Sequence, residues 1–340
     1  WGYNEKRQYF YIYATLTRHF TSPNPLLRNE GGGPRKFFSL LYFHSFVIII
    51  RQIIYLTFMV KIEKKFIKDK PFFYLTEQIN IGGYFKKIQV YVGKNIPKNL
   101  NPYYGELRDK EIKLVNDNIE KIYAMDLKLP IEEYKKIEAL RARFKYAFLN
   151  LSESKQEEFW RNFAIKFIFE SNAIEGSRLS QKEVEAIVKK KYIKKTVGRK
   201  EILEVNNSIE AFKLIRSGDF ILNQRSIINL HEIITKGLAV PRGYKKANII
   251  VNNKETTPPA KVRESMRDLL LWRDRQKKKK FHPFILAAIF HGRFEYIHPF
   301  SDGNGRAGRL LFIWMLLKSG YGIMLFKNKI RKQFFYGTYL

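Results

Sequence analysis

The stretch HPFSDGNGRAGRL, at positions 298–310, concentrates side chains suited to phosphate chemistry. His298 can accept a proton near neutral pH, and Asp302 offers a carboxylate of the kind that holds Mg²⁺ against phosphate oxygens. The run Gly303–Gly305 can turn sharply and aim successive backbone N–H groups at one anion. Arg306 and Arg309 are three residues apart, so they occupy neighbouring positions on one helix face and can grip a polyphosphate. The motif therefore predicts a polyphosphate site with His298 as general base.

Apolar helical patterns flank this motif on both sides. They predict that the loop joins two helices and that the second helix directs the positive end of its dipole at the anion. Phe300 alternates with polar residues, and we expect it to point into the core and anchor the loop. Each of these residues alone suits an ordinary loop, but their joint occurrence favours a functional site. A metal phosphohydrolase with ligands His291, His298 and Asp302 is an alternative, although it leaves the Gly-Asn-Gly-Arg run unexplained.

The stretch HPFSDGNGRAGR resembles the signature of the Fic domain family, His-x-Phe-x-(Asp/Glu)-Gly-Asn-Gly-Arg-x-x-Arg, at every defined position. The resemblance runs from about residue 130 to the end of the chain. It implies an enzyme that uses ATP and Mg²⁺ to transfer AMP to a Ser, Thr or Tyr hydroxyl of a target protein, with diphosphate leaving. The implied roles are proton removal by His298, Mg²⁺ binding by Asp302, phosphate binding by Gly303, Asn304 and Gly305, and grip on the inner and γ-phosphates by Arg306 and Arg309 respectively.

A second motif, FESNAIEGSRLS, resembles the inhibitory sequence (Ser/Thr)-x-x-x-Glu-(Gly/Asn) that lies N-terminal to the core in this family. Its defined positions are Ser171, Glu175 and Gly176. The resemblance implies that Glu175 pairs with Arg309 and occupies the guanidinium that the γ-phosphate needs, so that the enzyme is autoinhibited. A capping acid on a short helix is the alternative interpretation. Removal of AMP, or transfer from another nucleotide donor, is the alternative activity.

Residues 241–259, PRGYKKANIIVNNKETTPP, interrupt the helical pattern. A β-type run, two asparagines and a pair of threonines before two prolines predict a small hairpin. The hairpin resembles the flap of the family, which registers the target segment beside the motif by strand addition. The residues expected to dock the target are Ile249, Ile250, Val251, Thr256 and Thr257.

Capping and stop signals divide the rest of the chain beyond residue 130 into helices. Ser180 opens a capping-box pattern, Gly218 ends one helix, and Asn223 begins the next. Residues 261–276 and 283–297 carry two further helical patterns. The predicted fold class is therefore mainly α, with a Fic-type helical core and the short hairpin as its flap.

The residues that precede the helical part have a different sequence pattern. Aromatic and β-branched runs on either side of Gly82-Gly83 predict a β-hairpin, so residues 60–125 are expected to form a small N-terminal region that contains β structure. Residues 126–340 are assigned to the Fic domain, with the inhibitory helix near 171–176.

The first 59 residues form an apolar and basic leader, which the mature protein would lack if Met59 is the true start. Residues 37–60 are long and apolar enough to raise the membrane question, although Arg51 disfavours insertion. Membrane association through this segment therefore stays an alternative to a cytoplasmic location.

The chain has 340 residues, a formal net charge of +31 and no cysteine. The absence of cysteine excludes disulfides and thiolate catalysis and fits a reducing compartment, so a cytoplasmic location is expected. The lysines are scattered along the chain, which favours solvated faces over a nucleic-acid site, but nucleic-acid contact through the basic N-terminal region stays open. Self-modification and a homodimer are further open alternatives for its partners.

Overall fold

The computed structural model describes residues 60–123, 130–191, 197–251, 253–322 and 324–326. These residues are mainly helical, as the sequence predicts. The strands are β1 (Lys61–Ile67), β2 (Lys70–Ile81), β3 (Tyr84–Gly93), β4 (Ile250–Val251) and β5 (Lys254–Glu255). The helices are α1 (Asn101–Asp117), α2 (Ile119–Ile122), α3 (Ile131–Leu149), α4 (Glu153–Ile174), α5 (Gln181–Val188), α6 (Arg199–Ser217), α7 (Gln224–Ile234), α8 (Pro259–Lys278), α9 (Pro283–Ile297) and α10 (Asn304–Lys318).

The N-terminal region is an antiparallel sheet in the order β1-β2-β3. Gly82 and Gly83 have φ values of +57° and +81° and join β2 to β3, which confirms the predicted hairpin. The inner face of the sheet buries Leu75, Ile79 and Val90 against α1 and α3. Strand β1 was not predicted, because most of its residues are exposed and its pattern of lysines does not alternate with apolar residues.

A buried ionic network ties this sheet to the helices. Glu77 of β2 and Glu111 of α1 both pair with Lys145 of α3, and the distance from Glu111 to Lys145 is 2.7 Å. Arg141 lies 2.7 Å from the other oxygen of Glu111. The Tyr146 hydroxyl lies 2.5 Å from Glu77 Oε2 and 2.8 Å from Glu111 Oε2, so its one proton can be donated to either carboxylate. Removing one member of such a network would leave a buried charge without a partner, which would destabilise the fold.

The helices α9 and α10 form the centre of the larger core. In each of them twelve of the fifteen residues are buried. Gly308 lets the two helices approach closely, because a Cβ atom there would lie 3.1 Å from Phe294 and would clash with the Glu295 carboxylate. The motif loop is therefore carried between the two most enclosed helices, which fixes its ends.

The predicted helix boundaries are confirmed where capping chemistry set them. Ser180 and Glu183 make both hydrogen bonds of a capping box. The α6 helix ends at Ser217, with Gly218 left-handed at φ +91°, and the Asn223 side chain accepts from Ser226 N to begin α7. Local hydrogen bonding decides these ends, which is why the sequence alone located them.

Several sequence predictions lie outside the described residues. These are the leader of residues 1–59, the apolar segment up to residue 59, the domain boundary at residue 125 and the C-terminal stretch from residue 327. Among the residues that the structure describes, no helix combines the length and apolar character that a membrane crossing requires.

Candidate active site

His298 lies where α9 ends. Its backbone is left-handed, with φ 49° and ψ 62°, and its N–H still donates to the Phe294 carbonyl at 2.9 Å. The chain turns out of the helix here, and Pro299 cannot continue it. Burial lowers the pKa of the His298 imidazole to about 4, and the positive charge of Lys245 acts in the same direction, while the Glu295 carbonyl opposes both. The imidazole is therefore neutral at pH 7 and can accept a proton.

The side chain of Asn304 closes the loop on itself. Its Oδ1 accepts from Phe300 N at 2.9 Å, and its Nδ2 donates to Phe300 O at 2.8 Å. Phe300 is fully buried, as expected of an anchor, and stacks on the His231 ring with centroids 3.8 Å apart and planes 7° apart. The Asn304 amide thus shapes the loop that presents the backbone N–H groups, and its predicted contact with phosphate stays a prediction.

The loop reaches α10 through residues with little room for side chains. Gly303 has φ +80°, and a Cβ atom there would lie 3.3 Å from Thr235. Asp302 Oδ1 accepts from Gly303 N at 2.5 Å, and the Asp302 side chain is 60% exposed. Backbone donors at the start of a fifteen-residue helix and an exposed carboxylate beside them suit a phosphate and its counter-ion.

Both motif arginines are buried beside this loop. Arg306 extends between two acids, 3.4 Å from Glu204 of α6 and 3.7 Å from Asp302. Its buried Nε has no hydrogen-bond partner within the described part of the chain. Arg306 therefore keeps a donor for a further acceptor.

Arg309 is held by residues at the end of α4. Its Nε donates to Ser171 Oγ at 2.9 Å, and its Nη2 donates to Ser171 O at 3.0 Å and to Glu175 Oε1 at 2.7 Å. Ser171 lies in the last turn of α4 and Glu175 caps that helix, so both face Arg309. Gly176, with φ +97°, turns the chain away directly afterwards.

The Glu175 carboxylate also covers the glycine loop. A Cβ atom on Gly305 would clash with Glu175 Oε1 and lie 2.9 Å from Arg309 Nη1. The resemblance implied the pairing of Glu175 with Arg309, and the structure brings these two residues into contact across 134 residues of chain. Ser171 also contacts Arg309, which was not predicted. Glu175 therefore stands where an anion bound to the loop and to Arg309 would have to lie.

The flap is a two-stranded hairpin of β4 and β5. Ile250 pairs with Glu255, and Thr256 continues the pairing by donating from its N to Ile249 O at 3.2 Å. Ile250 is 66% exposed, whereas Thr256 and Thr257 are buried. The exposed β4 edge is available for strand addition, and the threonines hold the base of the hairpin.

Lys245 is a site residue that the sequence analysis did not identify. Its Nζ is buried and donates to Thr256 Oγ1 at 2.5 Å and to Ile297 O at 3.4 Å, while its N donates to Pro299 O at 2.9 Å. Burial lowers the pKa of the Lys245 amine to about 8. Lys245 thus joins the flap to the residues on either side of His298, through its side chain to Ile297 and through its backbone N–H to Pro299. In the sequence, Tyr244 and Lys245 resemble an aromatic residue followed by arginine in the family, but that resemblance gave Lys245 no role.

His231 is a second such residue. Its Nε2 lies 2.9 Å from the Asp302 carbonyl oxygen, which can only accept, so Nε2 carries the proton. Burial lowers the pKa of the His231 imidazole. The neutral His231 ring stacks on Phe300 and donates to the Asp302 carbonyl. Helix α7 therefore supports the loop that connects α9 to α10.

A metal ion would have to depend on one carboxylate. Among the described residues, no group of three or more His, Cys, Asp or Glu side chains could hold a metal. His291, a ligand in the phosphohydrolase alternative, is fully buried beside Phe326, with ring centroids 5.8 Å apart. Mg²⁺ commonly binds through one carboxylate together with substrate phosphates and water, so Asp302 fits that ion when a polyphosphate is bound.

Comparisons with known proteins agree with this geometry. Residues 221–316 match the Fic/DOC family. The chain is 31% identical over 119 residues to a probable protein adenylyltransferase of Aquifex aeolicus, covering 34% of this chain and 37% of that protein. It is 31% identical over 181 residues to a protein adenylyltransferase Fic of Nematostella vectensis, covering 49% of this chain and 41% of that protein. The chain therefore matches less than half the length of these curated relatives.

Among solved structures, the fold is similar to that of a Fic domain containing signaling protein from Bacteroides thetaiotaomicron, with a TM-score of 0.53 and 22% identity. The similarity covers 58% of this chain and 78% of that one. This share of the chain is larger than residues 221–316, so the shared architecture is larger than the matched family segment.

Proposed function

Since residues 221–316 match the Fic/DOC family, we propose that this chain is a protein adenylyltransferase that transfers AMP from ATP to a Ser, Thr or Tyr hydroxyl of a target protein. The observation that carries the proposal is the position of a neutral His298 at one end of a loop whose other end supplies backbone N–H groups and two buried arginines. This arrangement supports the proposal because it would put a base next to bound phosphates.

In the proposed reaction the target oxygen attacks the α-phosphorus of ATP. The hydroxyl proton passes to the His298 imidazole, a new P–O bond forms to the target, and the bond between the α-phosphorus and the bridging oxygen breaks to release diphosphate. The protein contributes little covalent chemistry to this reaction, so positioning and charge stabilisation supply most of the rate acceleration.

The phosphates of ATP would lie over the start of α10. In this proposal the free backbone N–H groups at the start of α10 bind the phosphates, Arg306 binds the inner phosphates, and Arg309 is the donor for the γ-phosphate. Mg²⁺ held by Asp302 would neutralise charge on the phosphates when it is bound. Arg306 Nε has no partner among the residues that the structure describes, and an inner phosphate oxygen would supply one.

Glu175 acts as an internal brake in this proposal. Its carboxylate takes the Arg309 guanidinium at 2.7 Å and lies against Gly305, so the γ-phosphate would meet both an occupied partner and a like charge. ATP would then bind with its α-phosphorus out of line with the target oxygen. Release of Glu175 from Arg309 restores the site.

The flap would align the target. A target segment that adds to the exposed β4 edge gains main-chain hydrogen bonds, which are independent of its side chains. Lys245 fixes the distance between this edge and His298, so the acceptor hydroxyl is registered by the backbone.

The test is transfer of label from ATP in a Glu175→Gly variant, with an Escherichia coli lysate and the chain itself as pools of acceptor hydroxyls. ATP labelled at the α-phosphate is expected to label protein, and ATP labelled at the γ-phosphate is not. Adding His298→Ala to the same variant is expected to remove the label while the circular dichroism spectrum is unchanged. Label from the γ-phosphate alone, or equal label with and without His298, would overturn the proposal.

A further inference from the structure

A cavity of about 530 Å³ lies between the N-terminal sheet and the end of α10 remote from the catalytic loop. The tip of the β2–β3 hairpin, the last turns of α8 and α10 and the first turn of α9 surround it. The α10 helix has fifteen residues, so the cavity is about 20 Å from Gly303. Its size is in the range that accommodates a small ligand. It is therefore separate from the candidate active site.

The acids on the floor of the cavity are already paired with neighbouring cations and a hydroxyl. Glu77 and Glu111 are its acids, and each of their carboxylate oxygens is engaged by Lys145, Arg141 or Tyr146. Burial opposes ionisation of Glu111, but the charges of Arg141 and Lys145 outweigh it and keep the pKa of Glu111 below its ordinary value. Burial raises the pKa of Glu77, so the floor carries less negative charge than two free acids would. The floor therefore leaves little attraction for a cation.

The rim, in contrast, carries cations. Arg273, Lys277, Lys280 and Lys318 line it. Glu77 and Glu111 are the only acids among the described lining residues. Arg273 Nη2 donates to Leu222 O at 3.3 Å and its Nη1 lies 3.1 Å from Asp274, but its buried Nε has no hydrogen-bond partner in the described chain. Burial lowers the pKa of Arg273 and of Lys318. An anion in the cavity would offset this cost and satisfy the open donor.

One wall of the cavity is apolar and aromatic. Phe281, Leu286, Trp314 and Met315 line it. Trp314 is only 8% exposed, and its Nε1 has no hydrogen-bond partner among the described residues. A buried indole N–H is normally satisfied, so this donor is an unusual feature of the Trp314 environment. The wall thus offers an apolar and aromatic surface for a flat ring.

We propose that this cavity is a binding site for a small organic phosphate, with the ring against the wall of Trp314 and the phosphate among Arg273, Lys277 and Lys280. A phosphate carries the multiple negative charge that the rim balances, and a guanidinium beside ammonium groups is the usual set of side chains that binds it. The proposal does not depend on the reaction at the catalytic loop.

The probe is phenyl phosphate, titrated into the full chain by isothermal calorimetry. It is expected to bind saturably and more tightly than phenol or inorganic phosphate, since each of these supplies only half of the contacts. The double variant Lys277→Gln/Lys280→Gln is expected to weaken binding about tenfold or more. Its matched control is Lys278→Gln/Lys279→Gln, which removes the same charge from exposed residues of the same helix end that do not line the cavity. This control should change the affinity less than about twofold.

A third variant separates this cavity from the catalytic loop. Arg306→Gln is expected to leave phenyl phosphate binding unchanged, because Arg306 lines the catalytic loop and not the cavity. The proposal is overturned by an absence of saturable binding, by equal weakening in both lysine double variants, or by loss of binding in Arg306→Gln.

Discussion

At the scale of the residue, the environment of His298 decides its protonation. An imidazole of ordinary pKa would be partly charged near neutral pH and a poorer base. Here burial lowers the pKa of His298 to about 4, and Lys245 adds to the effect. The imidazole is thus neutral across the physiological range, as the proposed role of general base requires.

This environment predicts the pH dependence of transfer. In the Glu175→Gly variant, kcat/KM should fall on acidification with a midpoint near pH 4, because protonation of His298 at its lowered pKa removes the base. Above about pH 6 His298 imposes no further change. The measurement is kcat/KM for AMP transfer against pH in buffers of constant ionic strength. A midpoint near pH 6.5 would mean that His298 is solvated and that the buried geometry is wrong.

The same scale separates what the sequence could predict from what it could not. His298, Asp302, Gly303 and both arginines lie within one short stretch, so their proximity follows from chain connectivity. Glu175 and Arg309 lie 134 residues apart, and only the resemblance to a family paired them. Lys245 and His231 escaped notice because their partners, Ile297 and Asp302, are 52 and 71 residues away. Residue type alone does not reveal such contacts.

At the scale of the element, Lys245 links the β4–β5 hairpin to the loop that begins at His298. Its Nζ donates to Thr256 at the base of the hairpin, and its N–H donates to Pro299 O beside His298. Burying the Lys245 amine beside the neutral acceptors Thr256 Oγ1 and Ile297 O has an unfavourable desolvation free energy. The contact that positions the flap is therefore maintained by the rest of the fold.

A Lys245→Met variant tests this coupling. In the Glu175→Gly background we expect the KM for a target protein to rise about tenfold, since the flap loses its tether, with the KM for ATP nearly unchanged. Lys246→Met is the matched control, because Lys246 is exposed, and it should behave like the parent. Equal effects on both KM values, or none on either, would show that Lys245 only supports the fold.

The elements themselves were predictable to different degrees. Caps at Ser180, Gly218 and Asn223 fix helix ends through bonds between near neighbours, so the sequence located them. Strand β1 was missed because it pairs along β2 with few buried side chains, and its structure comes from the neighbouring strand. Pairing between strands is a tertiary property, which local propensity does not encode.

At the scale of the whole molecule, the ionic network of Glu77, Glu111, Arg141 and Lys145 joins the sheet to the helical part. Its members are at most 4% exposed. A buried network of this kind contributes little net stability against an apolar alternative, but it is intolerant of partial loss.

Lys145→Met should therefore destabilise the protein strongly. Two carboxylates would lose a partner in a buried site, and we expect the free energy of unfolding to fall by about 3–5 kcal/mol. The measurement is urea denaturation followed by circular dichroism. Lys113→Met, at an exposed position of α1, is the control and should change it by no more than about 0.5 kcal/mol. Adding Glu77→Gln and Glu111→Gln to Lys145→Met should recover part of the lost free energy of unfolding. If Lys145→Met and Lys113→Met have the same stability, the buried network is contradicted.

The central claim is that Glu175 blocks the Arg309 guanidinium that ATP requires. The most direct measurement is the initial rate of AMP incorporation from α-labelled ATP by the unmodified chain and by Glu175→Gly, at equal concentration and with Mg²⁺ present. We predict that the variant is faster by about a hundredfold or more, in line with the value of one well-placed donor to a phosphate or oxyanion. Equal rates in the two proteins would contradict the account, because the contact of 2.7 Å between Glu175 and Arg309 would then have no bearing on transfer.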